Sequence, residues 1–435
     1  MARTREIMWP ELFHLSAATG YSLQQRIRET LVAAILDGRL PADAPVPSSR
    51  ELARQLGVAR NTVMFAYQHL VEKGFLIPRE RSGYFINPEI QPRVAATERD
   101  TTTSDGHHEE VDWSACMQIR PSEQRNIVRR LNWRKFDYPF IYGQVDPRHF
   151  PINSWRECYR QALSVRAVSS LVRDHMDADD ELLIEQIQTR ILPRRGIWVN
   201  RDEILITLGT QNALYLLAEL LIGREDAVGI EDPGYPDARN ILALKTHNLH
   251  PLPVDDHGVV VGDCLRAYDY IFVTPSHQSP TTATLPIDRR EALLRMAAES
   301  DYLIIEDDYE SEITFDGAPT PALKSLDHNG RVLYLGSLSK TLDPGLRMGF
   351  LVGSPELIRE ARALRRLMLR HPPANNQHAV ALFLALGHHD ALIQRMIPEH
   401  RDRWKAMGEA LERHLPTATP FPCTGGSSYW VKGPS

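Results

Sequence analysis

At 435 residues the chain is too long for one ordinary domain, and its 43% apolar and 24% charged residues are those of a globular protein with a sizeable core. A net charge of −6 excludes a generally basic, histone-like protein, although residues 1–89 carry eleven Lys and Arg against nine Asp and Glu, a mild local excess that permits a nucleic-acid contact without demanding one. Four scattered cysteines (Cys116, Cys158, Cys264, Cys423) without a C-x-x-C pair argue against a disulfide framework or zinc ribbon. No apolar stretch approaches membrane-spanning length, and the opening MARTREIMWPELF lacks a signal-peptide core, so a cytoplasmic protein with no membrane partner is expected.

Residues 22–37 place Leu23, Ile27, Leu31 and Ile35 four apart, which predicts an amphipathic helix capped by Ser22. After the proline-rich PADAPVP, Ser48 or Ser49 can cap a short helix that Gly57 ends. A second helix runs over 60–73 through Val63, Ala66, Tyr67 and Leu70 to Gly74, and FLIP with YFI reads as a hairpin around Ser82-Gly83. This outline fits a winged helix-turn-helix, or a generic small helical bundle. The polar residues favour the first: Arg60, Asn61 and Thr62 crowd a helix start, where side chains meet base edges if the helix enters a major groove. Arg50 opens the preceding helix, and Arg79, Arg81 and Ser82 sit in the hairpin, placed for phosphates or a minor groove. PSSRELARQLGVARNTVMFAYQHLVEKGFL resembles the GntR-type winged helix, and the resemblance spans 20–88. The Gly-Ser-Gly wing tip common in that family is replaced here by Arg81-Ser82-Gly83.

Residues 88–110, rich in Thr, Asp and Glu, show no periodicity and read as a flexible linker. The His107-His108-Glu109-Glu110 run, in a linker of this composition, and His388-His389 are not expected to form a metal site. Beyond about 200, short apolar runs recur at EILIT, AVGIE, YIFVT, YLIIED, RVLYLG and GFLVG, with helical patterns over 211–222, 288–299 and 355–370. Such alternation predicts an α/β domain with a largely parallel sheet, whose ligands gather at the carboxyl ends of its strands.

At those ends, Gly209-Thr210-Gln211 opens a helix and can cradle a phosphate, or can simply be a turn with a threonine cap. Tyr235, held in EDPGYP, is an ordinary turn tyrosine or a plate for a flat ring. Glu306, Asp307 and Asp308 close a buried run, where three acids are costly unless something cationic meets them. SLSKTLDPGLRMGF then adds Ser337, Ser339, Lys340 and Arg347. A phosphate cradle, an aromatic plate, a carboxylate and a lysine are the set that pyridoxal 5'-phosphate requires.

From about 138 onward the chain resembles the fold-type I aminotransferases, most specifically in SLSKTLDPGLRMGF with EDDY upstream. The resemblance implies a Schiff-base role for Lys340, Asp307 as partner of the ring nitrogen, Tyr309 on the ring hydroxyl, and Tyr235 stacked on the ring. It assigns Gly209, Thr210, Gln211, Ser337, Ser339 and Arg347 to the phosphate, and Tyr142 to a neighbouring subunit's site. In TPSHQSPTT the family's cofactor-facing asparagine and glycine are missing, with Ser279 and Thr282 near their positions.

A GntR-type head joined to such a domain resembles the MocR/GabR regulators. Expected domains are therefore 1–88 (winged helix), 89–112 (linker) and 113–435 (pyridoxal-phosphate domain: large part about 150–372, partial small part about 373–435). This second resemblance implies a bacterial, cytoplasmic, DNA-binding regulator that senses an amine or amino-acid-like effector, or the cofactor itself, through the Schiff base at Lys340. Its partners would be promoter DNA with repeated half-sites and a second copy in a head-to-tail homodimer. An active aminotransferase with a fused DNA-binding head is the alternative. The small C-terminal domain is expected to be incomplete, since the sequence stops at GGSSYWVKGPS and no arginine follows Arg413 to bind a substrate carboxylate.

Overall fold

The computed structural model describes residues 22–90, 111–128, 132–141, 146, 148–165, 178–312, 320–340, 342, 344–416, 419–420 and 425–433. Tyr142, Cys423 and the His107–Glu110 run lie outside the described residues. The chain divides into two compact units, Met1–Glu110 and Val111–Ser435.

In the first unit, α1 (Leu23–Leu36) starts at Ser22, whose hydroxyl accepts the Gln25 N–H, and buries Ile27, Leu31, Ala34 and Ile35. Of the two candidate caps for α2 (Ser49–Leu56) it is Ser48 that accepts the Glu51 N–H, at 3.2 Å. Gly57 ends that helix with φ 64°, a left-handed conformation that glycine adopts without strain. Helix α3 (Arg60–Glu72) packs Val63, Ala66, Tyr67 and Leu70 into the same core, and the Tyr67 hydroxyl donates to the Pro47 carbonyl at 2.9 Å. Strands β1 (Leu76–Arg79) and β2 (Gly83–Ile86) pair antiparallel from Leu76↔Ile86 to Arg79↔Gly83. Their inner ends, Leu76 and Ile86, seal the helical core, so the wing is packed into the helices by its own apolar residues.

The second unit opens with α4 (Trp113–Cys116), α5 (Ile152–Ala162) and α6 (Glu181–Gln186). Next come β3 (Ile204–Thr207), α7 (Thr210–Leu221), β4 (Val228–Asp232), α8 (Pro236–Ala243), β5 (Leu249–Asp255), β6 (Gly258–Val259) and β7 (Tyr270–Val273). Helix α9 (Ile287–Ser300), β8 (Leu303–Asp308), β9 (Val332–Ser337), β10 (Gly349–Val352), α10 (Pro355–Leu369), α11 (Ala374–Ala385) and α12 (His388–His414) follow, and β11 (Thr419–Pro420) pairs with β12 (Val431–Lys432).

Strands β3 to β10 form one eight-stranded sheet in the order β3-β10-β9-β8-β7-β4-β5-β6. The pairs from β9 through β8, β7 and β4 to β5 are parallel; β10 runs antiparallel between β3 and β9. Alternate residues face opposite layers: Tyr334 and Phe350 pack with α6, α11 and α12, while Leu335 and Leu351 pack with α7, α8 and α10. Burial on both faces is why these strands read as unbroken apolar runs.

Strand β5 escaped the sequence reading because LHPLPVD carries Pro251 and Pro253. Those prolines are tolerated because β6 pairs only Val254 and Asp255, leaving the outer edge beside them without a ladder to donate to. A buried ion cluster was equally unforeseen: Asp179 binds Arg362 at 2.6 Å and Arg365 at 2.7 Å, which ties the chain before α6 to α10. No described helix is long and apolar enough to cross a membrane.

Candidate functional site

In the first unit, Arg60 and Asn61 are exposed at the start of α3 and Thr62 is half-buried beside them. No side chain caps α3; the Thr62 N–H donates to the Ala59 carbonyl at 3.0 Å, and among the described residues the Arg60 and Asn61 N–H groups stay open to a phosphate oxygen or a base edge. Arg50 is exposed at the start of α2, and Arg60 Nε lies 3.5 Å from Ser49 Oγ, bringing the two helix starts together. Arg81, at φ 59°, and Ser82 are exposed at the wing turn. Arg79 differs from them: it pairs with Asp43 and lies 4.3 Å over the Phe85 ring, so much of its guanidinium already serves the wing's own fold.

In the second unit a cavity of about 370 Å³ opens at the carboxyl ends of the parallel strands. Gly209, Thr210 and Gln211 form one wall, Tyr235 another, Asp307 and Tyr309 the floor after β8, and Ser337, Ser339, Lys340 and Arg347 the side after β9. Every residue singled out at the strand ends for ring, lysine or phosphate therefore meets in one cavity, Tyr142 excepted because it is outside the described residues.

Several details fit an anionic phosphate arm. The cap position of α7 is Gly209, with φ 83°, and no side chain caps the helix; the threonine-cap reading of this turn does not hold, since Thr210 is the first helical residue. The open N–H groups and positive end of the helix macrodipole thus face the cavity. The positive φ favours glycine here, and a Cβ on Gly209 would sit 2.9 Å from the Arg347 guanidinium, which would have to shift from the turn, where it donates to the Leu208 carbonyl at 3.1 Å. Ser339 is fixed by Met348, accepting its N–H at 3.1 Å and donating to its carbonyl at 3.2 Å.

The three acids of β8 meet three different fates. Glu306 turns away and accepts the Leu323 and Lys324 N–H groups, each at 2.8 Å. Burial is the largest influence on Asp308 and would raise it, but Arg195 at 2.8 Å, the Ser276 hydroxyl and the Tyr334 hydroxyl together hold the carboxyl below its ordinary value. Asp307 faces the cavity. Its Oδ1 is buried with no hydrogen-bond partner, and burial, then the Asp308 charge, push its pKa up to about 7 against the opposing pull of Lys340. A buried acceptor left unmatched among the described residues at a cavity wall is placed to accept from a donor on an occupant. Lys340 Nζ lies 5.6 Å from the centre of the Tyr309 ring. Tyr235 donates to Asp237 at 3.1 Å, and burial, then Asp237, raise its phenol well above the usual range.

Four wall residues escaped the sequence reading of the site or were left in doubt by it. Thr274 ends β7 and, with Gln278, binds the buried Glu231 carboxylate beneath the cavity; Ser279 lines the cavity, while Thr282 turns its hydroxyl to the Thr281 carbonyl instead. Asp237 could have been sought two residues after Tyr235. Ile127 carried no signal, being one apolar residue in an irregular stretch. Elsewhere, Asp146, His149 and Glu399 lie close enough to share a cation, but Arg148 and Arg403 already compensate Asp146. His389 is buried 3.4 Å from Glu312, and His388 is half-buried with its ring 5.4 Å from that of Phe383.

A small winged helix and a three-layer α/β unit with a lysine–aspartate cavity define a class in which DNA reading and an aminotransferase scaffold share one chain. The comparisons agree: residues 23–86 match the bacterial regulatory proteins of the gntR family, and 146–430 match aminotransferase class I and II. The chain belongs to the HTH-type transcriptional regulators of the MocR and TauR type and is a DNA-binding transcriptional regulator. It is 42% identical to the HTH-type transcriptional regulator TauR of Rhodobacter capsulatus over 98% of this chain and 87% of that one. To the "probable rhizopine catabolism regulatory protein MocR" of Rhizobium meliloti it is 32% identical, over 90% and 78%. Among solved structures, LysN, an α-aminoadipate aminotransferase of Thermus thermophilus complexed with N-(5'-phosphopyridoxyl)-L-leucine, aligns with a TM-score of 0.62 and 27% identity over 68% of this chain and 76% of LysN.

Proposed function

We propose that the second unit holds pyridoxal 5'-phosphate and that the regulator responds there to a primary amine or amino-acid-like effector, or to the cofactor itself. The unmatched Asp307 oxygen carries this reading, because a protonated ring nitrogen is the cationic donor that such a carboxylate would accept. Gly209, Thr210, Gln211, Ser337, Ser339 and Arg347 would hold the phosphate, Tyr235 would cover one ring face, and Tyr309 would take the ring hydroxyl. Bound there, the cofactor supplies an aldehyde that condenses with amines, first of all with Lys340.

The chain's own residues explain why the site suits a sensor. Lys340 stands between Asp307 and the Tyr309 ring, so its charge state is felt by both. A ligand that changes that charge changes the electrostatics of a buried carboxylate, where the medium screens little. The chemistry needed to sense an amine is the first step of transamination, so the fused DNA-binding unit is what favours regulation over turnover. A head-to-tail homodimer would supply two winged helices for repeated half-sites, in a bacterial cytoplasm. Three effector chemistries are to be compared: a carboxylate, a sulfonate such as taurine, or pyridoxal phosphate itself.

Titration of the full chain with pyridoxal 5'-phosphate tests the cofactor reading. The wild type should gain visible absorbance, Lys340→Ala should gain none, and both should fold alike by circular dichroism. Equal visible absorbance in the two proteins contradicts the assignment of Lys340.

A further inference from the structure

The described residues that line the cavity come from positions 209–347, with one exception: Ile127. It lies on the stretch through which the chain passes from the winged helix to the α/β sheet. Residues 111–128 are exposed except for a half-buried Gln124, so the stretch is held by polar bonds and not by packing. Those bonds converge on Asn240 in α8. Gln124 Nε2 donates to the Asn240 carbonyl at 3.1 Å, and Asn240 Nδ2 donates to the Arg125 carbonyl at 3.2 Å and to Asn126 Oδ1 at 3.1 Å. Helix α8 begins directly after Tyr235, and its first turn holds Asp237, so the anchor sits on the same short helix as two cavity walls.

The stretch is also knit internally. Asp112 caps α4, Arg120 donates to the Ser114 carbonyl at 2.8 Å, and Asn126 Nδ2 donates to the Pro121 carbonyl at 3.0 Å. A continuous set of local bonds thus runs from residue 112 to the cavity edge. Ile127, 43% exposed, is an apolar contact waiting for something to cover it.

We propose that Gln124–Ile127 is a strap that reads the occupancy of the cavity: an occupant packing on Ile127 seats the strap on Asn240, and the ordering runs back through residues 112–123 toward the DNA-binding unit. Segments with few buried contacts and solvent-exposed hydrogen bonds open at low free energy, so a few added contacts shift their population strongly. The proposal rests on the cofactor reading above, and its test separates the two.

Hydrogen exchange is followed on the full chain with and without pyridoxal 5'-phosphate, beside operator binding. In the wild type, amides of 209–211 and of 121–128 should both slow on loading, the latter by about fivefold or more, and operator affinity should change by a similar factor. The Gln124→Ala, Asn240→Ala double variant keeps all the proposed cofactor ligands. It should load with the same visible absorbance and slow at 209–211, yet lose the slowing at 121–128 and the change in operator affinity. If 121–128 is unchanged in the wild type while 209–211 slows, or if the double variant responds at the operator as the wild type does, the strap is overturned and the cofactor reading stands. No slowing at 209–211 and no absorbance sink both.

Discussion

Asp307 is the residue on which the chemistry of the cavity turns. Its carboxyl is pushed up to about 7 by burial and the neighbouring Asp308, from an ordinary value of about 3.9. An acid whose folded-state pKa is raised contributes stability below its ordinary value and loses it as pH rises through the folded value. In cofactor-free protein, the stability of Asp307→Asn relative to wild type should therefore climb between about pH 4 and about pH 7 and level off above. Denaturant melts across that range check this, and a flat difference would contradict the burial argument. The same substitution should weaken cofactor binding, because a neutral amide cannot match a cationic ring nitrogen. The sequence showed three acids at a strand end but not which of them faced the cavity. That depends on strand register and on Arg195, a residue 113 positions before its partner Asp308.

Among the elements, α3 and β8 were legible and β5 was not, and the contrast is physical. Helix α3 announces itself by the spacing of Val63, Ala66, Tyr67 and Leu70, and β8 by an apolar run ending in charge. Strand β5 has prolines where a ladder would need donors, so only its position beside the short β6 explains it. The cavity walls divide in the same way. Lys340, Arg347 and the Gly209 turn sit in motifs, and Asp237 follows one by two residues, whereas Ile127 is brought to the cavity by the polar bonds of Gln124–Asn126 to Asn240, far away in sequence. For α3 the exposed Arg60 should contribute base recognition: Arg60→Ala is expected to weaken operator binding by about 1–3 kcal/mol, roughly 5- to 150-fold, while leaving cofactor absorbance untouched. Fluorescence anisotropy on labelled operator DNA reads this, and an affinity within twofold of wild type would remove Arg60 from the interface.

As a whole molecule the protein joins two units whose separate functions are each intelligible from their folds, and the account stands or falls on whether they communicate. Residues 1–89, which hold the winged helix, carry only a slight basic excess, so its DNA contact depends on a few placed side chains more than on bulk charge. The second unit carries a cavity lined by Lys340 and Asp307, the proposed seat of an aldehyde cofactor, with a polar strap leading away from its edge. Operator affinity of the full chain, measured with and without pyridoxal 5'-phosphate in the wild type and in Lys340→Ala, tests that communication most directly. The account predicts a wild-type change of about 5- to 150-fold that disappears in Lys340→Ala, while the two proteins bind DNA equally well without the cofactor. An operator affinity that shifts equally in both proteins would contradict it.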